Sequence, residues 1–220
     1  MSRLATRFVA VLAPATLLLP AAAHAEQVSV DDAVSDAKAL NFASDTVGLV
    51  FGTGGDEGPP FLDAPAETAT DITRTTIQHA KRVSITVQFR DLVETADYSV
   101  SVGIRTPDER FDVFASRSAD GAQDAVLFPP VVVEESVPGR PRPCRSVRGR
   151  YDEVAETVTV SFPAACVGKP RWIQAQVGAA RFQVTPLGDG SVNLAGWADD
   201  AFRPSLSENS RGWSPKVRRG

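Results

Sequence analysis

Residues 71–92 read DITRTTIQHAKRVSITVQFRDL, and this stretch decides the fold. Val83, Ile85, Val87 and Phe89 alternate with Ser84, Thr86 and Gln88. Successive side chains of a strand point to opposite faces, so this run has one apolar and one polar side, as a half-buried strand requires. The preceding ITRTTIQ is rich in β-branched residues. His79-Ala80-Lys81 reads as the turn that folds the two runs into an antiparallel hairpin.

The same period continues outward. Tyr98, Val100, Val102 and Ile104 alternate with Ser99, Ser101 and Gly103, and shorter strands are expected at Phe111 to Ala115 and at Ala125 to Phe128, ahead of Pro129-Pro130. A second hairpin is expected where Arg145 to Tyr151 passes through Asp152 to Glu156 into TVTVSFP, with Val158, Val160 and Phe162 on one side. Trp172 to Ala180 is the last clear strand, its Ile173, Ala175 and Val177 sharing a face. Short alternating runs separated by turn residues, with no long amphipathic helix, predict an all-β fold. The expected architecture is an antiparallel β-sandwich of jelly-roll or immunoglobulin-like form over residues 70–185.

The flanks read differently. Residues 26–69 are expected to be peripheral: Ser29 and Asp32 stand in a capping-box relation that predicts a short helix within 26–42, Thr46 to Phe51 is a brief strand, and FGTGGDEGPPF is a loop. Residues 186–220 lose the alternation and gain glycine, serine and proline, which predicts an irregular loop and a flexible tail.

Residues 1–25 carry Arg3 and Arg7, an apolar stretch broken by Pro14 and Pro20, and the triplet Ala23-His24-Ala25. That order predicts a signal peptide cleaved near Ala25, and the two prolines leave too short an apolar run for a membrane span. The expected product is secreted, extracellular and monomeric, with no membrane span. Removing the leader takes Met1, the only methionine, and leaves 21 basic and 27 acidic residues, a net charge of −6, and one histidine, His79. Chemistry that needs two histidines or a methionine ligand is excluded within the mature chain. Of all residues, 43% are hydrophobic and 23% charged, which excludes collagen-like, coiled-coil and wholly disordered classes. In an oxidising compartment the two cysteines, Cys144 and Cys166, are expected to pair, closing a loop whose chain-entropy value is about 3 kcal/mol.

The hairpin of residues 71–92, with Asp-Ile at its start and Asp-Leu at its end, resembles the opening of sandwiches related to carbohydrate-binding module family 9 and to DOMON-like domains. Downstream, a cysteine, a basic strand ending in Tyr151-Asp152 and then TVTVSFPAACVGKPRWIQAQVGA look like uncharacterised secreted actinobacterial proteins. The resemblance covers about residues 71–182 and implies a jelly-roll-like sandwich. The haem activity of some DOMON domains does not carry over, because their methionine and histidine ligands have no counterpart here.

Candidate chemistry is sparse. His79 is the one imidazole, it is expected in an exposed turn, and no Gly-x-Ser-x-Gly elbow accompanies it. Calcium takes six to eight oxygen ligands, so a site would need loop carboxylates to converge; Asp63 or Asp71 before the sandwich with Asp199 or Asp200 after it is the candidate set. Arg140, Arg142, Arg145, Arg148 and Arg150 could meet the phosphates of a wall polymer, with Arg145, Arg148 and Arg150 the strand-borne candidates. The acidic balance excludes a nucleic-acid partner. Trp197 and Trp213 are candidate platforms for a sugar ring. The expected function is a non-enzymatic binding or structural accessory for a carbohydrate or wall polymer, working without a cofactor. The alternative is a small carboxylate-dependent hydrolase using calcium.

Overall fold

The computed structural model describes residues 26–44, 47, 58–93, 97–128, 144–204, 206 and 212–220. The expected signal peptide of residues 1–25, most of the strand expected at Thr46 to Phe51, Arg140 and Arg142 lie outside the described residues. The strands are β1 (Glu26–Asp31), β2 (Lys38–Leu40), β3 (Phe61–Asp63), β4 (Ile72–His79), β5 (Arg82–Phe89), β6 (Asp97–Arg105), β7 (Arg110–Arg117), β8 (Gln123–Phe128), β9 (Arg148–Asp152), β10 (Thr157–Pro163), β11 (Trp172–Pro186), β12 (Val192–Asp200) and β13 (Val217–Arg218). One 3-10 turn, Ala164–Val167, follows β10.

These strands form two antiparallel sheets. The smaller runs β1-β4-β5-β10-β9 and the larger β3-β2-β12-β11-β6-β7-β8, with β13 paired to the start of β11. The all-β antiparallel sandwich expected from the alternation is the fold. Ile77, Ile85, Val87, Val160 and Phe162 of the smaller sheet meet Val100, Val102, Ile104, Val113, Ile173 and Val177 of the larger, all fully buried. Apolar area removed from water is the main stabilising term, and in each strand it is supplied by every second residue. Among the described residues no helix is long and apolar enough to cross a membrane.

Two expectations for the flanks are overturned. Residues 26–31 are a strand, not part of a helix: Val28 and Val30 alternate with Gln27 and Ser29, and β1 pairs along its whole length with β4. A helix would leave the β4 edge unpaired, and its apolar stripe would be too thin to hold it to the core. Residues 192–200 are also a strand, so 186–220 is not an irregular tail. Strand β11 runs six residues past Ala180, turns at Leu187 to Ser191, where the Asp189 carboxylate accepts from the Ser191 N–H (2.9 Å) and Gly190 takes φ 86°, and returns as β12. The alternation is faint there because Ala195, Gly196 and Ala198 carry little side chain. The last residues are docked too: Val217 is fully buried, and Ser214 joins β11 by accepting from the Ala175 N–H (2.9 Å).

Candidate functional site

Five aspartates meet at one corner of the sandwich. Asp32 follows β1, Asp36 precedes β2, Asp71 precedes β4, and Asp199 and Asp200 end β12. Oxygens of Asp36, Asp71 and Asp199 lie within 4.8 Å of one another. A β-bulge between Ile72 and Arg74 breaks the ladder here, and the Ile72 N–H donates to Asp199 Oδ2 (2.8 Å), tying the two sheets together. The second oxygen of Asp199 accepts from the Asp200 N–H (2.8 Å). Asp71 accepts from the Ser35 N–H (2.9 and 3.1 Å) and pairs with Arg90 (2.8 Å). Two non-glycine residues beside the cluster, Ser35 (φ 70°) and Phe202 (φ 74°), hold left-handed backbone, a strain the surrounding bonds must sustain.

Negative charge is in excess at this corner. Burial, reinforced by neighbouring carboxylates, pushes Asp199 up to about 8 and Asp32 up to about 7, and raises Asp36 as well. Both Asp36 oxygens and Asp32 Oδ2 are buried without a hydrogen-bond partner. Asp36, Asp71 and Asp199 are the residues that could hold a hard cation such as calcium, in competition with the protons that the raised carboxyls retain.

A second feature lies on the outer side of the larger sheet. Cross-strand register puts Gly178, Ser101 and Phe114 in one row and Gln176, Gly103 and Asp112 in the next. These rows floor an open groove of about 400 Å³, whose walls are Phe61, Phe114, Arg203 and Leu206. Phe114 is 45% exposed and braced edge-on by Phe128, 5.6 Å away. A Cβ on Gly103 would meet Gln176 Oε1 at 3.4 Å and Asp112 Oδ1 at 3.5 Å, so glycine keeps that floor open. Asp200 faces this groove and pairs with Arg203 (2.6 Å), while its neighbour Asp199 faces the core.

No protein-family model and no curated protein matches the chain. The geometry alone therefore sorts the candidate residues. Asp71 and Asp199 converge, but Asp63 is exposed and paired with Lys38, which holds its carboxyl below the usual range. Asp200 is turned to Arg203. Trp197 lies under the Arg181 guanidinium at 4.2 Å, and Arg181 is itself paired with Glu67; Trp213 sits 5.7 Å from Arg110. Both tryptophans are half-buried rather than open platforms. Arg148 and Arg150 share the outer side of β9, Arg150 pairing with Asp152 (2.9 Å), and Arg145 stands apart in a turn. Cys144 and Cys166 form the expected disulfide, Cα to Cα 5.9 Å, joining the lead-in of β9 to the 3-10 turn.

His79 is not an exposed turn residue. It ends β4, is fully buried, and its Nδ1 lies 3.2 Å from the Val217 carbonyl because the C-terminal strand covers it. Sequence reading also missed three site residues. Asp32 and Asp36 fall within the 26–42 segment, whose capping-box spacing predicts a helix. Phe114 stands out of phase with Phe111, Val113 and Ala115, and an aromatic on the polar side of a strand was the signal that could have found it.

Proposed function

We propose that this is a secreted, non-enzymatic β-sandwich that binds a glycan in the groove on the outer side of its larger sheet. The carrying observation is Phe114, an exposed ring beside a small-residue floor with Ser101, Gln176 and Asp112 around it. A pyranose has apolar C–H faces and a polar rim, so it matches a ring platform flanked by hydrogen-bonding groups. Export rests on the leader pattern of residues 1–25 and on the disulfide. The hydrolase alternative is disfavoured by the cluster itself. Asp71 and Asp199 are buried between the sheets, and their oxygens are already engaged by Ser35, Arg90, Ile72 and Asp200, which leaves this carboxylate pair poorly set up to exchange protons with a substrate.

The test is thermal unfolding of the purified protein against a panel of plant and microbial polysaccharides. A ligand that binds only the folded chain raises the midpoint by mass action. At least one glycan should raise it, and Phe114→Ala should abolish the shift. A shift that survives in Phe114→Ala, or none with any glycan, rejects the groove as a glycan site.

A further inference from the structure

A second hollow, of about 410 Å³, opens on the same outer side of the larger sheet, lined by Asp97, Ser99, Ser116, Asp124 and Phe182 among others. Its place relative to the groove follows from register. Gly178 pairs with Ser101, Ala180 with Ser99 and Phe182 with Asp97, so three successive outward rows of β6 and β11 lead from one hollow to the other. The groove includes Ala180 and the second hollow includes Ser99, its partner across the strands, so the two abut. Six residue steps separate Gln176 from Phe182, about 20 Å at strand rise, room for about four pyranose rings in line.

Charge narrows the occupant. The cations lining these hollows among the described residues are Arg203 and Arg117, and they are ion-paired with Asp200 and Glu153. Asp97 and Asp124 border the second hollow; among the described residues the hydrogen bonds they accept come from the backbone N–H groups of Ala119 (2.8 Å) and Ala125 (2.8 Å), and neither carboxylate is ion-paired. A polymer carrying phosphates or uronates would meet like charge there.

We infer that the site takes a linear, uncharged glycan, laid along β6 and β11 so that it fills both hollows, with Phe114 serving the first and the Asp97 and Asp124 carboxylates the second. This rests on the glycan reading of the groove. The experiment is calorimetric titration of the purified protein with cello-, xylo- and N-acetylchito-oligosaccharides from dimer to hexamer, with oligogalacturonate as the anionic comparator. Affinity for one neutral series should rise at least about tenfold between dimer and tetramer and then level off. Ser99→Tyr, which fills the second hollow, should remove that gain, so that tetramer and dimer bind about equally; Ser116→Tyr on the neighbouring strand serves if the first variant does not fold. Length-independent binding that Phe114→Ala still abolishes overturns the two-hollow inference and leaves a single glycan site standing. Tighter binding of oligogalacturonate overturns the uncharged class, and no binding by any oligomer overturns the glycan reading together with this one.

Discussion

The two sheets turn very different outer sides to solvent, although the central strands of both alternate cleanly. On the smaller sheet, outward polar groups satisfy one another across the strands: Ser29 Oγ lies 2.9 Å from Thr76 Oγ1, Thr86 Oγ1 lies 3.1 Å from Thr159 Oγ1, and Arg74 pairs with Asp31. On the larger sheet the equivalent positions hold Gly103, Gly178, Ala180 and Ala198, interrupted by Phe114 and Phe182, and the result is relief rather than a flat face. A residue on the polar phase of a strand is only known to point outward. Whether that side is a solvated wall or a site depends on which residues of other strands share its row.

The largest effect that separates the two sides concerns the disulfide, which borders the smaller sheet. Cys144→Ser with Cys166→Ser should cost about 3 kcal/mol of stability and leave glycan affinity at the groove unchanged. Equilibrium denaturation and a binding titration on the same sample check both halves; an unchanged midpoint would show that the bridge carries no stability. Phe114→Ala should do the reverse, lowering glycan affinity by about tenfold or more while the melting midpoint barely moves, since the ring is already 45% exposed. A drop of many degrees in that variant would mean the ring is a packing residue and the contrast between the two sides is wrong.

The aspartate corner, where Asp199 turns inward and Asp200 outward, gives a smaller and pH-dependent effect. Asp32 and Asp199 bind their protons more tightly in the folded chain than at the ordinary carboxyl value of 3.8. The stability linked to those protons is complete below about pH 4 and is lost as the pH rises through about 7 and 8. Asp32→Asn should therefore raise the midpoint by a few degrees at about pH 8 and flatten its decline from about pH 5 to about pH 9. His79 works oppositely, because burial lowers its value and acid costs stability below about pH 6.5, so the comparison is between variant and parent at each pH. A decline equally steep in Asp32→Asn would rule out this origin. Smallest of all, Thr86→Ala should cost about 0.5–1 kcal/mol through the lost Thr159 contact and leave glycan binding untouched.

Much of the sandwich was legible because burial repeats locally. Val83 to Phe89, Tyr98 to Ile104 and Val158 to Phe162 each show their inner side within one strand. Strand β1 was harder to read: a six-residue edge segment, EQVSVD, fits a helix start as well as a strand, and only its pairing with β4 decides between them. Strand β12 was hidden because its small residues blur the period. The aspartate corner is half legible: Asp71 and Asp199 are 128 positions apart, and only their places before and after the sandwich strands suggest that they meet. Asp36 could not be added, because the loop that delivers it has no periodic signal.

The sequence by itself determined the all-β class, the inner row of most strands and the cysteine pair, since each depends on residue type and near-neighbour spacing. Tertiary structure alone decided that Asp36, Asp71 and Asp199 converge, that Trp197 lies beneath Arg181 while Phe114 stands open, and that Gly103, Gly178 and Ala180 lie together as a floor. Those are relations between distant strands. They are set by which edges hydrogen-bond and in what register, and no local pattern of side chains encodes them.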